Sequence, residues 1–233
     1  MDAPKTELWL LPGFMCDADL WRDQLTGLAD IADCRVADFS SGNSISELAA
    51  DVLSRAAPRV AVAGFSLGGY VAQDIVRQAP DRVERLALLD TSIRADTPER
   101  AAMKKAFAAS AHLRGEFVGI SDKVLETFVD HSRLDDLDLV DRIKAMTKRL
   151  GADVYLRQNG MVREDGEAVV KSLRCPVLVL CGENDVLTQM PEQKELAGMI
   201  EGARLVAIPG SGHMTPMEKP AEVTRALREW LAA

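Results

Sequence analysis

A serine between glycines is the first residue of this chain whose setting could support chemistry. The sequence reads Gly64-Phe65-Ser66-Leu67-Gly68. A serine hydroxyl becomes a nucleophile when a neighbouring base accepts its proton. The five-residue pattern occurs by chance in roughly one chain in twenty of this length, because glycine makes up about 7% of average proteins. The pattern must therefore be judged by the elements on either side of it.

The flanking residues predict a strand that turns sharply into a helix at Ser66. Residues 59–64, RVAVAG, are a short apolar run, and residues 68–78 have helical spacing. Gly64 and Gly68 lack the side chains that would collide in such a turn, and Ser66 would be held in a strained conformation. The helix N-terminus presents unpaired N–H groups and a partial positive charge, which suits a developing oxyanion.

A base for Ser66 is expected at the end of another strand. His213 follows the strand-like run ARLVAIPG, residues 203–210, in a loop that reads SGHM. Active-site groups of open parallel sheets lie in the loops after the strands, so we favour His213 as the base over a surface histidine. The other two histidines, His112 and His131, lie in a helical stretch and are expected to be solvated or packed.

A carboxylate is needed to fix the tautomer of the imidazole and to stabilise its cation. Asp185 comes shortly after the strand-like run PVLVLCG, residues 176–182. Asp90, at the end of RLALLD, is a second candidate, and its alternative role is to cap a helix or loop. We favour Asp185, because the order Ser66, Asp185, His213 is the one expected for a nucleophile on a strand-to-helix turn.

Two backbone N–H groups are expected to bind the oxyanion that forms during attack. One belongs to Leu67, which follows the serine, and the other to Phe14, in the turn LLPGFMCD after the first strand. Because both donors are backbone groups, a side-chain substitution does not remove them.

Short apolar runs alternate with helical stretches along most of the chain, which predicts an α/β fold with a mostly parallel open sheet of about six strands. The predicted strands are 7–13, 34–39, 59–64, 85–90, 176–182 and 203–210. The predicted helices between them are 18–30, 44–56, 68–78, 191–200 and 218–231. Residues 95–166 have helical periodicity and no convincing strand. We therefore divide the chain into a core, 1–94 with 167–233, and a helical insertion, 95–166, after the strand that ends at Asp90.

Composition narrows the class of protein. The chain has 233 residues, 47% of them apolar, and a net charge of −8. It can build one substantial core, and its negative charge argues against a nucleic-acid partner. The four cysteines form no C-x-x-C pair and the histidines are few, so we expect buried reduced thiols and no metal site. The chain does not open on a signal sequence and no apolar run approaches about 20 residues, which predicts a cytoplasmic protein with no membrane contact.

Four segments in order resemble the α/β-hydrolase superfamily: LPGFMCDADLW, GFSLGG, LVLCGENDVLT and IPGSGHMTPMEKP. The similarity is greatest to short bacterial carboxylesterases and carbon–carbon bond hydrolases with a helical cap, and weakest across 95–166. Two features depart from the family: Pro12-Gly13 stands where many members have His-Gly, and we expect the usual N-terminal hairpin to be absent. The strand at 34–39 is therefore expected at an exposed sheet edge, where we hypothesise that two copies pair into a homodimer.

The resemblance implies that residues 95–166 form a cap that covers the active site and shapes its specificity. The candidates for lining the substrate pocket are apolar, and each could instead only pack the cap against the core. They are Met15, Phe107, Phe117, Phe128, Met146 and Met161.

Together, the residues and the resemblance predict a serine hydrolase that cleaves small carboxylic esters through an acyl-enzyme. The same triad could serve a carbon–carbon bond hydrolase or a thioesterase. A small-molecule receptor with an intact triad is the non-catalytic alternative, and it would bind its ligand tightly with little turnover. The predicted chemistry needs a small-molecule ester as substrate and no metal or organic cofactor.

Overall fold

The computed structural model describes residues 5–99, 101–102, 104 and 117–233, and its centre is a six-stranded sheet. The strands are β1 (Thr6–Leu11), β2 (Ala32–Val36), β3 (Val60–Phe65), β4 (Val83–Leu89), β5 (Val177–Gly182) and β6 (Arg204–Ile208). Every neighbouring pair is parallel, in the order β2-β1-β3-β4-β5-β6. The predicted parallel open sheet is confirmed, and β2 lies at its edge as expected. The homodimer stays a prediction.

Helices follow the strands through most of the described chain. They are α1 (Arg22–Leu28), α2 (Ile45–Arg55), α3 (Leu67–Gln78), α4 (Asp122–Phe128), α5 (Leu137–Gly160), α6 (Glu167–Ser172), α7 (Met190–Gly198), α8 (Thr215–Glu218) and α9 (Pro220–Ala232). Short 3₁₀ turns span Ala18–Trp21, Pro80–Arg82 and His131–Arg133. Within the described ranges, no helix has both the length and the apolar character that crossing a bilayer requires.

Two apolar cores cover the two faces of the sheet, because successive side chains of a strand point to opposite faces. In β1, Leu8 and Leu10 pack into the core that contains Trp21. Trp9 and Leu11 pack into the core on the other face. Each fully buried leucine contributes about 1.5–3 kcal/mol relative to an exposed one. Burial on both faces explains why the central strands are apolar throughout rather than alternating.

One predicted helix near the C-terminus is two helices in the structure. The prediction of a single helix over 218–231 is wrong at its start, because α8 ends at Glu218 and α9 begins at Pro220. Lys219 lies between them with φ −134° and ψ 59°. Proline has no N–H to donate and disfavours helical geometry in the residue before it, so Pro220 starts a new helix.

The described residues between β4 and α6 are helices and loops, with α5 the longest. Gly151, at φ 78° and ψ 177°, breaks α5. Ion pairs connect α5 with the segment that follows β1: Arg142 bonds to Asp19 (3.1 Å) and Asp23 (3.0 Å). The buried face of α5, which includes Met146, packs into the same core as Trp21. The division into a core and a helical insertion stays a prediction.

The four cysteines all fall in the described ranges, and none is in a disulfide. Cys16 and Cys181 are buried, whereas Cys34 and Cys175 are half-buried. Buried free thiols behave as small apolar side chains, so their main role here is packing.

Candidate active site

Ser66 occupies the sharp turn between β3 and α3, as the sequence predicts. Its backbone has φ 51° and ψ −110°, a conformation that costs a non-glycine residue on the order of 1–3 kcal/mol. Two hydrogen bonds maintain it: Ser66 N–H donates to the carbonyl of Leu89 (2.9 Å), and the hydroxyl of Thr91 donates to the carbonyl of Ser66 (2.7 Å). The end of β4, the strand next to β3, therefore stabilises the turn through these two hydrogen bonds.

Gly64 and Gly68 are required because backbone atoms pass where their Cβ atoms would be. A Cβ on Gly64 would lie 2.3 Å from the carbonyl oxygen of Gly68, and a Cβ on Gly68 would lie 2.3 Å from that of Leu11. Real Cβ atoms do not come so close to backbone oxygens. The predicted reason for the two glycines is confirmed.

His213 lies between Ser66 and Asp185, and the three side chains form a chain of hydrogen bonds. His213 Nε2 is 3.0 Å from Ser66 Oγ, and His213 Nδ1 is 2.8 Å from Asp185 Oδ2. A carboxylate only accepts, so Nδ1 carries the proton, and Nε2 can accept the hydroxyl proton of the serine. The structure thus brings His213 into contact with Ser66, 147 positions away in the chain, and with Asp185, 28 positions away.

Asp185 is held as a buried carboxylate. Its Oδ1 accepts from the N–H groups of Leu187 (2.7 Å) and Thr188 (3.1 Å), and its Oδ2 accepts from the Thr188 hydroxyl (2.5 Å). Burial alone would raise the pKa of Asp185, but His213 and these hydrogen bonds outweigh it and lower the pKa to about 2. The group opposite His213 is therefore charged at neutral pH.

Asp90, the second candidate for the acid, makes its hydrogen bonds elsewhere. One carboxylate oxygen accepts from the N–H of Gly182 (2.8 Å), and the other bonds to the Thr215 hydroxyl. Burial, followed by the charge of Asp185, raises the pKa of Asp90 well above its ordinary value. Asp90 also has a positive φ of 45°. It connects β5 and α8 beneath the site, while Asp185 is the carboxylate bonded to His213.

Asp90, Asp185 and His213 form the cluster of possible metal ligands in the described residues, with ligand atoms within 4.8 Å of one another. Each of the three is already in hydrogen bonds with other protein groups. A metal ion would have to displace those bonds, so the arrangement favours a hydrogen-bonded network.

Glu218 supports the loop that carries His213. This buried carboxylate accepts from the N–H groups on both sides of the histidine, those of Gly212 (3.1 Å) and Met214 (3.0 Å). It also accepts from the N–H of Asp130 (2.8 Å). The carbonyl of Phe128 accepts from His213 N–H (2.8 Å) and Met214 N–H (3.0 Å), so α4 contributes to the same support.

The turn that contains Phe14 lies against Ser66. A Cβ on Gly13 would be 3.3 Å from the Cβ of Ser66, and Phe14 itself lines the cavity at the serine. Met15, with φ 53°, donates its N–H to Oε1 of the buried Gln158 (2.7 Å). The Gln158 Nε2 donates in turn to the carbonyl of Phe39 (3.1 Å), so α5 fixes this turn. Leu67, the other expected donor, is the first residue of α3 and is buried.

A cavity of about 230 Å³ opens onto Ser66 and His213. Its other described lining residues are Phe14, Phe65, Tyr70, Thr91, Ser92, Lys104, Phe128, Gln158, Asn159, Arg163, Leu187, Thr188 and Met214. The volume is small compared with the roughly 300–1,000 Å³ of pockets that take drug-sized ligands.

The six apolar residues proposed for the pocket have different positions. Phe128 lines the cavity. Met15, Met146 and Met161 are fully or almost fully buried and do not belong to its described lining. Phe117 packs against the ring of Tyr155, with centroids 5.6 Å apart. The remaining candidate, Phe107, lies outside the described residues.

The sequence does not indicate the roles of several residues of the site. Gln158 and Glu218 are polar residues at buried positions of helices, and only the spacing of Glu218, five residues after His213, hints at a role. Lys104 and Arg163 are separated by 59 positions, and nothing in their local sequence indicates that they line one cavity with Ser66.

The fold and this geometry agree with comparisons to known proteins. Residues 10–226 match the model of the alpha/beta hydrolase family. This match covers most of the chain, and the chain therefore belongs to the α/β-hydrolase family.

Similar proteins include esterases. The chain is 29% identical over 188 residues to the pimeloyl-[acyl-carrier protein] methyl ester esterase of Chromobacterium violaceum, covering 78% of this chain and 74% of that protein. A thermophilic esterase from Thermogutta terrifontis, solved with malate bound, superposes with a TM-score of 0.86 at 26% identity, over 97% of this chain and 89% of that one. The enol-lactonase from Burkholderia xenovorans LB400 has a TM-score of 0.87 at 22% identity, over 99% and 93%, which shows the shared fold.

Proposed function

We propose that this protein is a serine hydrolase that cleaves small carboxylic esters through an acyl-enzyme. The observation that carries the proposal is the unbroken chain of hydrogen bonds from Asp185 through His213 to Ser66. Ser66 ends this chain on a strained turn and faces a small cavity. The esterase activity of the Chromobacterium and Thermogutta relatives supports the same class of reaction.

In the first half of the reaction, Ser66 Oγ attacks the ester carbonyl carbon while its proton moves to His213 Nε2. The carbonyl oxygen becomes an oxyanion, and the N–H groups of Phe14 and Leu67 donate to it. When the tetrahedral intermediate collapses, the bond to the alcohol oxygen breaks and His213 gives its proton to the departing alcohol. The acyl group remains on Ser66.

In the second half, water takes the place of the alcohol. His213 accepts a proton from the water as its oxygen attacks the acyl carbon, and a second oxyanion forms in the same place. Collapse returns the proton to Ser66 Oγ and releases the carboxylic acid. Asp185 remains ionised throughout and stabilises the imidazolium, which agrees with its lowered pKa of about 2.

The helical insertion at 95–166 acts in this proposal as a cap over the core formed by 1–94 and 167–233. Five of its described residues support that role, because they line the cavity together with Ser66 of the core: Lys104, Phe128, Gln158, Asn159 and Arg163. A cavity built by both parts excludes bulk water and lets the insertion determine which ester fits.

The proposal is tested by hydrolysis of p-nitrophenyl acetate, butyrate, octanoate and dodecanoate. We expect Ser66→Ala to lose on the order of 10⁴-fold or more in kcat. The control Ser54→Ala, on the exposed face of α2, should match the wild type. The small cavity predicts faster reaction with the two short esters. If no ester is hydrolysed in a Ser66-dependent way, the esterase proposal is wrong, and thioesters and carbon–carbon substrates become the next to test.

A further inference from the structure

The cavity at Ser66 has a positively charged wall. In the described part of the lining, Lys104 and Arg163 are the two residues with a permanent positive charge, and no carboxylate lies there. This is unexpected from the chain as a whole, which has a net charge of −8. The net charge of the chain would repel an anion, so any attraction at this wall comes from local side chains.

One carboxylate, Asp96, whose side chain is 9% exposed, contacts both cations. Asp96 Oδ2 lies 2.5 Å from Lys104 Nζ, and Asp96 Oδ1 lies 3.8 Å from Arg163 Nη1. Lys104 Nζ also donates to the carbonyl of Met161 (3.0 Å). Burial would raise the pKa of Asp96, but hydrogen bonds from Lys104 and from the Arg163 backbone outweigh this and lower it. The Lys104–Asp96–Arg163 cluster therefore has two positive charges and one negative charge.

This cluster differs from an ordinary surface ion pair. The side chains of Lys104 and Arg163 are only 14% and 18% exposed. Arg94, two residues before Asp96, is 56% exposed and pairs with both Glu192 (3.1 Å) and Glu195 (2.5 Å). Charges with little access to water interact strongly, so the excess positive charge of the cluster favours an anion in the cavity.

The shape of the cluster suits a carboxylate in particular. The guanidinium of Arg163 lies over the ring of Tyr70, 5.2 Å from its centroid, which orients a planar group that can donate two parallel hydrogen bonds. Lys104 adds a point charge beside it. We propose that the substrate is a small molecule with a carboxylate in addition to its ester, and that Lys104 and Arg163 bind this carboxylate. This inference rests on the proposed function, because it identifies the substrate class of the same site.

The test uses binding to Ser66→Ala, which does not depend on turnover. Isothermal titration compares monomethyl succinate with methyl succinamate, which has a neutral amide in place of the carboxylate. A hydrogen-bonded charge pair contributes about 1.5–3 kcal/mol, which corresponds to roughly a 10–100-fold tighter binding of the acid. Equal affinity, or tighter binding of the amide, overturns the proposal.

Three further variants in the Ser66→Ala background assign the preference to the cluster. Arg163→Gln and Lys104→Gln should each reduce the ratio of the two affinities at least about fivefold. Arg163→Lys keeps the charge and should recover part of the ratio, which separates loss of charge from misfolding. Arg94→Gln, the matched control outside the cavity, should leave the ratio unchanged. A ratio that falls equally in the Arg94 and Arg163 variants contradicts the assignment.

The two proposals fail in different ways. If the wild type hydrolyses p-nitrophenyl butyrate but Ser66→Ala does not distinguish acid from amide, the esterase proposal stands and the carboxylate site is wrong. If Ser66→Ala binds the acid preferentially through Arg163 but the wild type hydrolyses neither simple esters nor monomethyl succinate, the carboxylate site stands and the esterase proposal is wrong.

Discussion

Glu218 offers a sharp test of how the histidine loop is held, because glutamine has nearly the same shape but only one acceptor oxygen. The native carboxylate accepts from Asp130 N–H and Gly212 N–H at Oε2 and from Met214 N–H at Oε1. In Glu218→Gln, the best arrangement keeps the oxygen at the two-donor position. The amide nitrogen then faces the N–H of Met214, and two donors oppose each other.

The expected cost follows from these contacts. Met214 N–H keeps its bond to the carbonyl of Phe128 (3.0 Å), so the donor left without an acceptor is the introduced amide. Losing one hydrogen bond to a charged group and leaving this buried amide unsatisfied costs about 2–4 kcal/mol, and the two remaining bonds weaken as the charge disappears. An opposing term is the cost of burying the charge, which raises the pKa of Glu218 and is relieved by glutamine. We expect a net loss of about 2–3 kcal/mol in the free energy of unfolding. For a chain of this size, that lowers Tm by roughly 4–12 °C.

The same substitution should affect catalysis, because Gly212 and Met214 flank His213. A displacement of His213 lengthens its 3.0 Å contact with Ser66, and we expect kcat to fall about 10–100-fold with a smaller change in KM. Urea unfolding and ester kinetics measure the two effects, with Glu201→Gln at an exposed position as the control. If Glu218→Gln is within about 0.5 kcal/mol of this control and keeps its kcat, the reasoning is refuted.

Three other substitutions test separate parts of the site. Asp185→Asn should lower kcat about 10⁴-fold. The lowered pKa of Asp185 means that its carboxylate stabilises the fold above about pH 4, and that this stabilisation is lost as the pH falls towards 2. The difference in free energy of unfolding between wild type and Asp185→Asn should therefore narrow on acidification. A difference that stays constant contradicts this expectation. Because the pKa of Asp90 is raised in the fold, the wild type loses stability as the pH rises above about 4. In urea titrations at pH 5–9, the free energy of unfolding of Asp90→Asn should fall less than that of the wild type. An equal fall in both proteins contradicts this expectation. Gly64→Ala places a Cβ 2.3 Å from the carbonyl oxygen of Gly68 and should lower the free energy of unfolding by about 3 kcal/mol or prevent folding. The control Gly198→Ala has open space around the new Cβ and should be tolerated. Equal stability of the two variants would refute the steric argument.

The sheet and the three residues of the hydrogen-bonded chain could be predicted because their signals are local. An apolar run buried on both faces predicts a strand, and Gly64 and Gly68 around Ser66 predict a sharp turn. His213 and Asp185 follow two such strands, and carboxyl ends of parallel strands meet at one edge of a sheet. Helix ends were less predictable, since the break before Pro220 depends on a single residue within a continuous helical pattern.

The cavity could not be predicted in the same way, because its lining depends on how helices pack. Hydrophobicity alone makes Met146 and Met161 candidates for the lining, but both are buried in the cores, and the choice between core and cavity depends on the position of each helix. Gln158 acts through one contact with Met15, 143 residues away. Lys104 and Arg163 both contact Asp96, which lies far from Arg163 in the sequence. No periodic pattern encodes such contacts between distant segments.

The central claim, that Ser66 is the nucleophile, is tested most directly by covalent labelling with diisopropyl fluorophosphate followed by peptide mapping. Trypsin cleaves after Arg59 and Arg77, and the resulting peptide 60–77 contains one serine, Ser66. We expect one diisopropylphosphoryl group per chain on Ser66, a simultaneous loss of ester hydrolysis, and no labelling of Ser66→Ala. Labelling at another residue, or equal labelling of Ser66→Ala, would contradict this expectation.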